Sequence, residues 1–435
     1  MAGMLASTAA MWALALACAG GGAEGKTEPR RAEIAELVRR LGSDSPATRA
    51  EAAETLGSLG PKAAAAVPAL ARALRDKDSR TRHEAAWALC KMAPASAPAV
   101  PALTAALRDE APRVRCVAAE ALGALGEAAA PAVPALLDAL RKDADIRVRR
   151  HAASALGAVG PPAAPAAAAL LEHLRHKDLY LRGRCAEALG GIRPKGEAAI
   201  EALRRALKDK EWFVRRMAAK GLGKLGPAAA RAVPALIVAS WDEDTWTRKL
   251  ALEALGEIGA AAAPAVPAIL EALSDDAQAV RGSAFGALAK IGPPAAAAKD
   301  KLIGLLDHKD PPTRVGAAVA LGGIGPRAPE AAEPLAKALR DPNPFVREAA
   351  AFALGKVGPA ARQAVPALAR SLEDKAPAVR LAALRALGRI GPAAHEAAPA
   401  IERLLRNADK EVRATAAGAL RRIVPRGTVS GSDDL

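Results

Sequence analysis

Residues 221–227 read Gly-Leu-Gly-Lys-Leu-Gly-Pro (GLGKLGP). Glycine at the first, third and sixth places is the spacing of a loop that cradles a dinucleotide phosphate. Such a loop must follow a β-strand and open a helix. Here the flanking stretch, VRRMAAKGLGKLG from Val214 to Gly226, is an Ala-rich helical run that the glycines close. Gly223 and Gly226 read as a helix-ending pair with Pro227 beyond them, and Gly221 replaces an Ala found at that place in sibling segments. No phosphate loop is expected.

The siblings decide the fold. A β-branched or Leu residue, an Arg, an Ala-rich run, Ala-Leu-Gly-x-x-Gly, Ala or Pro, and then Val-Pro-Ala-Leu recur along the chain. The Arg falls at 49, 82, 115, 149, 182, 215, 248, 281, 314, 347, 380 and 413. Successive gaps are 33 residues, with one of 34 between Arg115 and Arg149. A period of this length marks stacked supersecondary units. Each unit reads as two helices. The first runs from the Arg through a Leu seven residues on (Leu56, Leu122, Leu222, Leu255) and ends at a Gly pair such as Gly57 and Gly60. The second opens on Pro68, Pro101, Pro134, Pro234, Pro267, Pro366 or Pro399, where a missing N–H costs nothing. Each helix carries a single apolar stripe, for example Val67, Leu70 and Leu74, so neighbouring units must stack to bury it.

The phrases VRRMAAKGLGKLG, VREAAAFALGKVG and VRLAALRALGRIG resemble HEAT repeats of the bacterial HEAT-like type first named for phycobilisome lyases. The resemblance covers Arg31 to Val424 and implies an all-α solenoid of about twelve stacked helix pairs, with a convex and a concave face. Ile34, Leu37 and Leu41 then belong to an incomplete first repeat, and Val412 to Val424 to a closing first helix. The resemblance also implies a ladder that fixes the loops. Asp lies six residues before the Arg in eight units: Asp76, Asp109, Asp143, Asp209, Asp242, Asp275, Asp341 and Asp374. Asp178, Asp310 and Asp409, four residues before the Arg, stand in where that Asp is missing. These carboxylates are expected to be structural, not acid/base groups.

Composition agrees with a repeat array and argues against ordinary globular domains. Of 435 residues only 2% are aromatic, while 51% are apolar, and 36 Gly and 33 Pro punctuate the chain. The formal charge of +15 favours acidic partners, whether protein, nucleic acid or another polyanion. Cys18, Cys90, Cys116 and Cys185 have no metal-ligand or redox spacing, and the last three read as small buried fillers. The opening MAGMLASTAAMWALALACAG has the apolar core of a secretory signal, with Ala17-Cys18-Ala19 as a cleavage site, although no Lys or Arg precedes Lys26. Residues 1–19 are thus expected to be a signal peptide, with Cys18 as an alternative lipid anchor, and the protein to reside in the periplasm or cell envelope. A cytoplasmic protein with an Ala-rich leader is the alternative. Residues 20–30 read as a flexible leader, 31–424 as the array and 425–435 as a disordered tail. No run is long and uninterrupted enough for a transmembrane helix.

Little chemistry remains once the repeat is subtracted. His173 and His176 lie three apart on one expected helix, a weak metal pattern. His83-Glu84 resembles the His-Glu motif of deoxyhypusine hydroxylase, a HEAT-repeat enzyme with two irons. That family needs several such pairs at equivalent places, and His395-Glu396 falls between helices. No enzyme, cofactor or metal site is expected. Two columns of residues vary on top of the repeat. The ends of the second helices read Arg75, Arg108, Arg141, Arg175 and Lys208 in consecutive units, then Trp241, Ser274 and Asp307. That basic stripe either faces an anionic partner or complements helix dipoles. Two residues before the repeat Arg stand Tyr180, Phe213 and Trp246, with Trp212 and Trp241 close in sequence. They form either a ledge for a partner or packing over the helix ends. The expected function is a scaffold that binds an acidic protein or polymer. The alternatives are a basic-groove nucleic-acid binder and a metalloenzyme using His83 and Glu84.

Overall fold

The computed structural model describes residues 31–424, so the expected signal, Cys18, the leader and the tail lie outside the described residues. Among the described residues twelve long helices of 13–14 residues alternate with twelve shorter ones, and there is no strand. The chain divides into two compact units, Met1–Ala99 and Val100–Leu435. In the first, the short helix Arg31–Arg40 buries Ile34 and Leu37 and is followed by Pro46–Leu59, Val67–Ala73 and Ser79–Lys91. The second begins with the short helix Val100–Ala106 and closes on the long helix Lys410–Ile423. Within it each long helix packs on the long helices before and after it. The α-solenoid implied by the sequence is what each unit builds.

The repeat phrase acquires three physical corrections. The long helices begin about three residues before the Arg, because residues four before it act as N-caps. Asp78, Asp145, Asp178, Asp244, Asp310, Asn343 and Asp409 each accept a backbone N–H of the first turn. Asp178, Asp310 and Asp409 are therefore caps and not substitutes in the ladder. The expected loop between the two helices is instead mostly a 3₁₀ helix, as over Gly60–Ala66 and Gly226–Ala232. His395 and Glu396 lie in such a segment, Gly391–Ala397.

The third correction concerns the glycines. Only the second of each pair ends the helix. Nine of these, from Gly60 to Gly391, adopt φ of 58–81°, a left-handed conformation that costs a residue with a Cβ. The first lies inside the helix, as Gly57, Gly123, Gly157, Gly223, Gly256, Gly322, Gly355 and Gly388 do. A methyl at those positions would lie 2.6–3.3 Å from the Cα of an Ala in the next long helix. The Gly of each Ala-Leu-Gly and the corresponding Ala of the next repeat are thus the two halves of one close helix contact, and the Leu of the phrase is fully buried, as at Leu122, Leu156 and Leu255. That closeness explains a core nearly without aromatics. Three units depart from the rule: Ala93 and Val424 hold that place after Arg82 and Arg413, and Arg193 holds it after Arg182, with φ 47°.

Candidate functional site: a cationic and aromatic edge

The turns that lead from each short helix into the next long one form the edge on which both variable columns lie. The repeat Arg sets their geometry. Its Nη1 donates to the carbonyls six and five residues before it, as Arg215 does to Asp209 and Lys210, both at 3.1 Å. Its Nε and Nη2 fork onto the Asp of the following repeat. Seven such pairs are Arg49–Asp76, Arg115–Asp143, Arg182–Asp209, Arg215–Asp242, Arg248–Asp275, Arg314–Asp341 and Arg347–Asp374, with all fourteen bonds at 2.7–3.1 Å. The same Asp accepts the N–H two residues on, as Asp242 does from Asp244 at 2.9 Å. The ladder implied by the sequence is present, and each rung ties two repeats together.

On this rigid turn the basic column is exposed. In the second unit Arg108, Arg141, Arg175 and Lys208 follow one another in consecutive repeats, and Arg75 holds the same register in the first unit. None of the five makes a side-chain hydrogen bond or ion pair among the described residues. Some cations elsewhere are neutralised. Glu187, for instance, takes Lys220 at 2.8 Å, Lys224 at 3.1 Å and Arg184 at 3.5 Å. Burial pushes its carboxyl up, and Lys220 with Lys224 outweighs that and holds it below the usual range.

The aromatic column divides in two. Phe213 is half-buried: its ring fills the space over Gly183, where a methyl would meet it at 2.5 Å, and it packs on Tyr180 at 5.3 Å. Tyr180, Trp212, Trp241 and Trp246 remain 47–56% exposed. The residue after the repeat Arg organises Tyr180, Trp212 and Trp246, a contribution the sequence reading missed. The Arg150 guanidinium forks onto Asp178 while lying 4.7 Å from the centre of the Tyr180 ring. Arg216 does the same on Asp244, 4.1 Å from Trp212 and 5.9 Å from Trp246, with the Lys249 amine 5.0 Å from Trp246. Each pair orients a ring by cation–π attraction and leaves its outer face to solvent. A basic residue directly after the repeat Arg in these three units was the available signal. Phe345, also two before its Arg and 55% exposed, belongs to the column as well. A shallow cavity of about 230 Å³ lies between Arg150, His151, Ser154, Tyr180 and Arg184. Burial lowers the His151 pKa, with Glu120 opposing and Arg184 and Arg150 adding to the shift.

The reactive groups are elsewhere engaged. His173 is buried, Nδ1 against the Ala169 carbonyl and Nε2 against the Arg149 guanidinium, both at 2.7 Å. His176 lies beyond the end of that helix, not on it, and its Nδ1 accepts the Asp178 N–H at 3.0 Å. His83 Nδ1 lies 3.1 Å from the carboxylate of the adjacent Glu84. No group of three or more His, Cys, Asp or Glu could hold a metal ion among the described residues. Burial pushes the Cys116 thiol up to about 11 and Cys185 higher still, which suppresses the nucleophilic thiolate. Two helical stretches, Trp212–Ala239 and Thr245–Ala272, have mean hydropathies of 1.3 and 1.2. Neither is a clear membrane span, since each is interrupted by a left-handed glycine, Gly226 or Gly259.

The sequence pattern that describes HEAT repeats matches eight overlapping stretches, from residues 34–123 to residues 332–421. No curated protein sequence matches the chain. Among solved structures the chain is similar to the karyopherin Kap121p (15% identity, TM-score 0.63, covering 89% of this chain and 52% of that one). It is also similar to the Kap95:Nup1 complex (15%, 0.63, 89% and 62%) and to importin beta (16%, 0.57, 90% and 61%). At that identity the likeness is one of fold. The chain spans between half and two thirds of the length of these three structures.

Proposed function

The chain belongs to the HEAT-repeat family, and on that premise we propose that it is a non-enzymatic interaction scaffold whose turn edge binds an acidic protein or polymer. One observation carries the reading: two consecutive turns combine an exposed cation without an internal partner with an exposed, cation-oriented ring, Arg175 with Tyr180 and Lys208 with Trp212, and Arg108 and Arg141 extend the cations over the two turns before them. Such a surface offers charge attraction together with large apolar faces, the mixture that anchors protein interfaces. Seven Arg–Asp rungs hold the turns in place, so little ordering is needed on binding. The Kap95 structure, which has a comparable fold, is a complex with Nup1, in line with a protein partner. Export to the cell envelope, with cleavage after Ala19 or lipidation at Cys18, is part of the proposal.

The test is crosslinking capture from the native envelope fraction with wild type and with a variant carrying Glu at Arg75, Arg108, Arg141, Arg175 and Lys208. Helical melting shows whether the variant is folded. A partner captured by wild type and lost by the folded variant supports the reading, and equal capture sinks it. If the cations serve only the helix dipoles, the variant loses thermal stability and no partner. The nucleic-acid reading predicts gel-shift binding of duplex or single-stranded DNA at physiological salt. The metalloenzyme reading predicts iron or zinc in the purified protein.

A further inference from the structure

We propose that the guanidinium edges of Arg281 and Arg380 are open receptors for carboxylate side chains of the acidic partner, an inference that rests on the scaffold reading above. Each of the seven paired ladder arginines holds its Asp 27 or 28 residues further on. Twenty-seven residues after Arg281 stands His308, and 27 after Arg380 stands Asn407. Both keep one task of the missing Asp. His308 Nδ1 accepts the Asp310 N–H at 3.1 Å, and Asn407 Oδ1 accepts the Asp409 N–H at 3.0 Å.

Neither can perform the other task. With Nδ1 accepting, the neutral His308 ring carries its proton on Nε2, a donor. The second polar atom of Asn407 is an amide nitrogen, also a donor. The Nε–H and Nη2–H of Arg281 and Arg380 accordingly make no hydrogen bond among the described residues, and neither arginine has a carboxylate within 4.0 Å. Both guanidinium groups are nonetheless held as their siblings are. Arg281 Nη1 donates to the carbonyls of Asp275 and Asp276 at 2.8 and 2.9 Å, and Arg380 Nη1 to those of Asp374 and Lys375 at 2.8 and 3.2 Å. Both residues are half-buried, and their unpaired nitrogens still reach solvent: Arg204 Nε is the only buried side-chain nitrogen or oxygen without a partner among the described residues.

The chain supplies its own control. Arg149 also faces a histidine, His176, at +27, but its guanidinium turns to the Leu140 carbonyl and to His173, which closes the site. Arg281 and Arg380 have no such alternative. The ligand chemistry follows from the seven paired rungs, where this same fork takes a carboxylate in a bidentate, charge-assisted pair. The partner supplied from outside is thus an Asp or Glu side chain on an accessible acidic segment, one at each receptor.

The probe is an acetylated and amidated ten-residue peptide of alternating Asp and Gly, followed by the ¹H–¹⁵N resonances of the arginine Nε–H groups. Those of Arg281 and Arg380 are expected to shift and saturate, and those of Arg314 and Arg347 to stay. His308→Asp and Asn407→Asp close the ladder from within. Each should abolish the shift at its own arginine, lower peptide affinity about tenfold and raise the melting midpoint. Arg281→Lys keeps the charge but loses the fork, and should weaken binding to the same degree. Resonances of Arg281 and Arg380 that do not move, or wild-type affinity in the His308→Asp and Asn407→Asp double variant, overturn the proposal. So do shifts produced by inorganic phosphate and not by the peptide. Should that double variant capture the native partner normally while the five-site variant loses it, the receptor proposal fails and the scaffold reading survives.

Discussion

A single methyl group decides whether two repeats can meet. Gly157 lies inside its helix, and a Cβ there would come 2.6 Å from the Cα of Ala188, a contact that backbone alone can relieve. Gly157→Ala is therefore expected to destabilise the protein by about 1–3 kcal/mol, read as a lower denaturation midpoint. Gly286, in the long helix Gln278–Ile291, has nothing within 4 Å of such a methyl. There the change to Ala removes only backbone freedom, and Gly286→Ala should be neutral or raise stability by up to about 1 kcal/mol. Equal effects at the two positions would disprove the close-contact account. The sequence places Gly157 in the Ala-Leu-Gly phrase and Gly286 outside it, but gives neither its distance to a neighbour. Which one faces a neighbour depends on the distance between helices, and no local pattern encodes that.

At the scale of the element, six of the twelve long helices have a carboxylate capping their first turn. The Arg147 side chain and backbone hold Asp145 at a pKa of about 2. Burial pushes Asp244 up, yet the Arg216 fork and the Thr247 hydroxyl and N–H bring it down to about 2. Both values lie below the unfolded value of about 3.9, so the stability these groups add is complete above that pH. It is lost as pH falls through the folded value. Melting midpoints should accordingly decline between about pH 4 and pH 2, and Asp145→Asn with Asp244→Asn should flatten that decline while lowering the midpoint at pH 7. The ladder offers a second measurement. Arg314→Ala leaves Asp341 without its fork, at a site where both side chains are nearly buried, and should cost about 2–4 kcal/mol. The ladder itself was legible through the family resemblance, with the period of 33 placing the Arg and Asp residues in register. Its true rung was not: the Asp six residues before an Arg serves the previous repeat's Arg, and the Asp four before it caps a helix. Spacing within a repeat cannot distinguish these two roles, whereas stacking between repeats does.

For the whole molecule, a repeat that touches only its neighbours makes stability local. Within the second unit, Arg314→Ala should raise amide exchange across residues 278–357 and leave residues 146–225 at wild-type protection. Uniform deprotection would mean that the unit unfolds as one cooperative body. The same locality frames function. Many charges are balanced inside the rungs and around Glu187, whereas on the turn edge Arg108, Arg141, Arg175 and Lys208 have no internal partner among the described residues. The sequence by itself determined the all-α repeat architecture, the family, the units and the two columns that vary upon them, because a 33-residue period and helical stripes are one-dimensional properties. Only the tertiary structure decided which glycine caps and which packs, which rings stay exposed beside Arg150 and Arg216, and which ladder arginines lack a carboxylate. Each of those depends on what the next repeat presents across the contact, and residues 27 or more apart meet only when the chain stacks.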